Sequence, residues 1–122
     1  MVNFFEEITE ELNDYERLTV SPLIVKGLSM KIGKENVITN GEMRKGLLNK
    51  YSIKISDARM RKIIQYIRLG GFVERLIATS KGYYVSENKE ELLQYEESLM
   101  QRAASIEAIA KQINFQTRKK YG

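Results

Sequence analysis

The chain has 122 residues, 43% hydrophobic and 30% charged, a balance that suits one globular domain able to bury a core without covalent staples. It contains neither cysteine nor histidine. That removes disulfides, thiolate zinc sites, cysteine nucleophiles, the commonest metal ligand and the usual general base, so neither an enzyme nor a cofactor is expected.

The segment from Met1 to Glu7 is acidic where a secretory leader would be basic, and no apolar run approaches membrane-spanning length. The expectation is a small cytoplasmic protein with no membrane partner. A formal net charge of +4 hides a strong asymmetry. Residues 1–16 carry −6, residues 17–86 carry +10, and residues 87–122 balance to zero. A centre this basic points to a polyanionic partner.

In chain order, Phe5, Ile8, Leu12 and Tyr15 follow three- and four-residue steps and predict an amphipathic helix over 4–17, its other face acidic. Ser21-Pro22 has the form of an N-cap followed by proline at the first helical position, opening a second helix from Leu23 to Ile32 with Gly33 as its stop. Val37-Ile38 is too short for an independent strand but can pair with a later one. Thr39 and Glu42 have capping-box spacing and open a third helix, with Met43 and Leu47 inward and Leu48 beside them.

Ser56 caps a fourth helix, Asp57 to Leu69, in which Met60, Ile63, Ile64 and Ile67 form a buried stripe. Gly70-Gly71 ends it. Residues 72–79 have strand composition, Ser80-Lys81-Gly82 supplies a turn, and Tyr83-Tyr84-Val85 returns as the second strand of a hairpin. One of the two tyrosines is expected in the core. Asn88 and Glu91 mark the start of a last helix, Lys89 to about Phe115, ahead of the basic tail Arg118-Lys119-Lys120.

The predicted fold is mainly α with a small β-hairpin: an acidic helix over 1–20, a central domain over 21–86 and a C-terminal helical arm over 87–122. Within the centre, the order of helix, short strand, helix, helix and hairpin is that of a winged helix-turn-helix. With the Met60 stripe inward, Ala58, Lys62 and Gln65, flanked by Arg59 and Arg61, make the outward side of the 57–69 helix. Small Ala58 would let that helix approach a groove floor. Arg and Lys suit guanine or phosphate, and Gln suits adenine. Ser56, Arg44, Lys45 and Lys54, with Ser80 and Lys81 at the hairpin tip, are candidate backbone anchors.

The run from Ile55 to Gly71 resembles the recognition-helix segment of winged-helix regulators of the biotin-repressor type and of phage and prophage DNA-binding proteins. Ile77 to Val85 is similar to their wing, and Glu91 to Tyr95 to the start of their trailing helix. The resemblance covers about residues 35–105 and implies binding of double-stranded DNA through Arg59, Arg61, Lys62, Gln65 and the wing. The implied role is a transcriptional regulator or a replication-associated factor. The competing expectation is a winged-helix adaptor that binds protein.

In the last helix Leu99, Ala103, Ile106, Ala110 and Ile113 have coiled-coil spacing, and Leu92 extends the seam. This predicts a homodimer, with packing against the stripe of the first helix as the alternative. The acidic first helix could also fold over the basic face and compete with DNA, although its own apolar stripe argues for a packed role.

Overall fold

The computed structural model describes residues 10–122, so Phe4, Phe5, Ile8 and the other positions before Glu10 lie outside the described residues. It is mainly helical with one small antiparallel hairpin, and it divides into two compact units that meet between Glu87 and Asn88.

The first helix among the described residues differs from expectation. Residues 10–13 are not helical, and helix starts at Asp14, runs through a π-helical turn at Glu16–Val20 and continues as Ser21–Ser29. These residues together are α1. Ser21 is therefore no N-cap: it has right-handed helical dihedrals and its N–H reaches back five residues to the Glu16 carbonyl. Pro22 explains the wide turn. It has no N–H to give the carbonyl four residues back, and its ring would press on that carbonyl in a regular helix. The π turn just upstream opens the backbone there, and the helix passes through instead of starting again.

After α1 the chain makes a short 3₁₀ turn, Lys34–Asn36, and enters α2, Asn40–Tyr51. The Thr39–Glu42 capping box is formed in both directions, with each N–H to side-chain oxygen distance 3.1 Å. Met43 and Leu47 are buried, whereas Leu48 is 49% exposed and lies outside the core. Helix α3, Asp57–Gly70, follows, capped by Ser56 and terminated by Gly71 at φ +66°. Met60, Ile63, Ile64 and Ile67 are all buried, as the stripe requires.

Strands β1, Leu76–Thr79, and β2, Gly82–Val85, pair antiparallel with Ile77 opposite Tyr84. Both of those side chains are buried, while Tyr83 is partly buried. Residues 72–75 are not in the strand. The other edge of β2 is covered by the chain between α1 and α2: Ile38 and Tyr83 exchange two backbone hydrogen bonds, 2.9 and 2.8 Å, and Val85 bonds Lys31 and Gly33. Gly82 makes this approach possible. It sits at φ +125°, and a Cβ there would lie 2.3 Å from the Ile38 carbonyl oxygen.

The core joins Val20, Ile24 and Leu28 of α1 to Met43 and Leu47 of α2, the α3 stripe, Ile53, Val73 and Val85. Leu12 packs against its edge, and Tyr15 is 51% exposed.

The second unit is one helix, α4, Lys89–Tyr121, capped by Asn88, whose side chain accepts the Glu91 N–H. It runs about 50 Å at 1.5 Å per residue and takes in the basic tail. Every residue from Met100 onward is exposed. No helix among the described residues is long and apolar enough to cross a membrane.

Candidate nucleic-acid interface

Helix α3 is held rigidly from one side by its apolar stripe and at its start by Ser56, whose hydroxyl oxygen accepts the Arg59 N–H at 3.1 Å. Its other side carries Arg61, Lys62 and Gln65. Arg61 is well exposed and donates from Nε to Asp57 Oδ2 one turn back, at 2.9 Å. An acid one turn before a base is the favourable order on a helix, and such a pair is too weak to prevent Arg61 from exchanging partners. Gln65 is exposed and Lys62 partly buried. Between them and the start of α1 lies an open cleft of about 390 Å³, also lined by Glu11, Leu12, Arg17, Tyr66 and Leu69. Leu69, at 82% exposure, adds an apolar residue beside Lys62 and Gln65.

Two expected groove residues are placed differently. Ala58 is only 5% exposed, so it is a packing residue of the first turn and offers no surface to a groove floor. Arg59 points toward α1. Its Nε and one terminal nitrogen donate to the two carboxylate oxygens of Glu16, at 2.8 and 2.5 Å, and the guanidinium also bonds the backbone carbonyls of Glu10 and Glu11 at 2.9 and 3.2 Å. The two charged side chains are 14% and 5% exposed. A fork-to-fork pair so enclosed is a structural clamp that fixes the chain entering α1 against the first turn of α3.

Glu16 serves that helix as well. Its carboxylate accepts the Asn13 N–H at 3.0 Å while the Asn13 side chain accepts the Glu16 N–H at 2.8 Å. This is the reciprocal arrangement of a capping box, with Asn in place of Ser or Thr. Burial alone would raise the Glu16 pKa, but the hydrogen bonds from Arg59 and Asn13 and the charge of Arg59 outweigh it and hold the carboxyl below its ordinary range. The Asn13–Glu16 spacing was visible in the sequence. Ser21-Pro22, the stronger-looking helix start, obscured it.

Arg44 is partly buried, and its Nε donates to the Ile55 carbonyl at 2.9 Å, tying α2 to the loop ahead of α3. Lys45 and Lys54 are exposed, with no salt bridge among the described residues. Ser80 and Lys81 form the exposed tip of the hairpin, where the Lys81 N–H donates to Thr79 Oγ1 at 3.1 Å. Arg68, which the wheel puts nearer the buried edge, is exposed.

Along α4, Leu92 and Leu99 are partly buried and Ala103, Ile106, Ala110 and Ile113 are exposed. Ile109, off that seam, is exposed as well. Among the described residues no group of three or more acidic side chains could hold a metal ion. No family model, curated protein or solved structure matches the chain.

Proposed function

We propose that the chain is a winged-helix protein that binds double-stranded DNA sequence-specifically and catalyses no reaction, as a small transcriptional regulator or a phage-type replication-associated factor. In this reading α2 and α3 are the helix-turn-helix, α3 enters the major groove, and the β1–β2 hairpin is the wing that meets the backbone. The observation that carries it is α3 itself: a helix anchored by a complete apolar stripe that turns Arg61, Lys62 and Gln65 outward, followed by a hairpin with Lys81 at its tip.

Arg61 and Lys62 supply donors for guanine or phosphate, Gln65 suits adenine, and Lys45, Lys54 and Lys81 suit phosphates. Arg59, Arg44 and Ser56 act as positioning residues, since their groups already hold α3 and its flanking chain in place. The exposed apolar seam of α4 supports a homodimer, which would present two α3 helices to half-sites about one DNA turn apart.

Fluorescence anisotropy of a random duplex of about 30 base pairs, titrated at several salt concentrations, tests the reading. Binding should weaken with salt on a log–log slope of several units. Lys81→Ala should weaken binding to all sequences alike, and Lys62→Ala or Gln65→Ala should relax preference after site selection. Absence of binding at ~50 mM salt would remove DNA as the partner.

A further inference from the structure

Between α1 and α2 runs an open groove of about 350 Å³, at the small end of the range for ligand sites. None of its lining residues belongs to α3 or the hairpin. Its walls are largely apolar, from Leu23 and Leu28 on one helix to Met43 and Leu47 on the other, with Ile38 closing one side. Met30 and Tyr51 also line it, and both are exposed, at 72% and 40%.

Each helix contributes a glycine to this groove, and the space above both is open. A Cβ built on Gly27 or on Gly46 would meet nothing within 4 Å. Glycine costs a helix interior about 1 kcal/mol relative to alanine, so two of them facing one groove are a local expense that close approach of another backbone would offset. Helices normally pack 8–10 Å apart according to the side chains between them, and glycines permit the short end of that range.

The charges around the groove are one-sided. Lys26, Lys31 and Lys50 line it, and none of them forms a salt bridge among the described residues. The one acid in the lining, Glu42, has its carboxylate engaged in the capping box of α2. An apolar floor with cationic edges is complementary to an apolar helix face with acidic edges. Phosphate would use the lysines but leave the floor, Met30 and Tyr51 uncovered, so the groove suits nucleic acid less well.

We propose that this groove docks an amphipathic helix with acidic flanks, supplied by a protein partner. The site is independent of the DNA-binding reading and is compatible with it.

The probe is a fluorescein-labelled helical peptide with a Leu/Ala face and Glu flanks, added to the full chain at low salt, beside a peptide with Lys in place of each Glu. The acidic peptide should bind saturably and the basic one should not. Gly27→Leu and Gly46→Leu should fill the groove and weaken binding by about tenfold or more. Both should leave the circular dichroism intact and Tm equal or higher, because leucine favours a helix over glycine. Lys26→Glu with Lys50→Glu should abolish binding. The proposal is overturned by failure of the acidic peptide to bind, by equal binding of the basic peptide, or by glycine variants that bind like the parent. It is also overturned if duplex DNA displaces the peptide and Gly46→Leu weakens the duplex, since the groove would then belong to nucleic acid.

Discussion

Glu16 and Arg59 show how a charged side chain inside a basic segment can serve the fold rather than a ligand. Arg59 lies between Ala58 and Met60 on a helix rich in cations, and position alone puts it beside Arg61 and Lys62. What assigns it inward is a carboxylate 43 residues away, a pairing that helical periodicity does not encode. Glu16→Gln should lower stability by about 1–3 kcal/mol in chemical denaturation, because the partly buried guanidinium would lose its counter-charge. The pH dependence has a definite sign. The folded-state pKa of Glu16 lies below its ordinary 4.5, so the unfolded chain takes up the proton first. The stabilisation is complete above that ordinary value and is lost as pH falls from there through the folded value. Glu16→Gln should remove that part of the acid sensitivity, so wild type and variant converge in stability toward low pH. Parallel denaturation profiles at pH 7 and pH 3 would contradict this role.

Among the elements, those with local and redundant signals were legible in advance. The α3 stripe has four apolar residues in phase, a capping serine and a terminal glycine, and all of them act as their types suggest. Thr39 and Glu42 form the box that their spacing announces, and Ile38 finds Tyr83 across the sheet. The start of α1 was not legible, because Ser21-Pro22 satisfies a strong local rule that the π turn overrides. Deleting Thr19 would restore regular α spacing, with the Ser21 N–H still bonded to the Glu16 carbonyl, now four residues back. Glu16 would stay near Arg59, but Pro22 would press on an unrelieved carbonyl. The expected outcome is a Tm below wild type that Pro22→Ala in the same background restores. A Tm equal to wild type would show that the π turn does not relieve Pro22.

At the level of the whole molecule, the two units are stabilised differently. The unit before Asn88 has a contiguous core, whereas α4 has no buried residue. An isolated helix draws little stability from propensity, and most helices depend on covering an apolar face. The Leu99–Ile113 spacing was legible only as a pattern, since a heptad repeat needs no tertiary context. Its occupant was not, since the same residues serve a second copy or a neighbouring segment equally well. Ile106→Asp should convert a dimer to a monomer in sedimentation velocity while leaving the first unit's unfolding transition in place. An unchanged sedimentation coefficient would remove the seam from any role in self-association.

If α4 pairs with a second copy as proposed, its exposure would tie the order of the arm to abundance. If pairing is what completes the helix, mass action governs it: dilution below the dissociation constant should cost helical signal, and half-order should be reached at a defined dose of the protein. The core unit would stay folded throughout. A chain paired in this way would measure its own concentration, and occupancy of paired sites would rise more steeply than the amount of protein made.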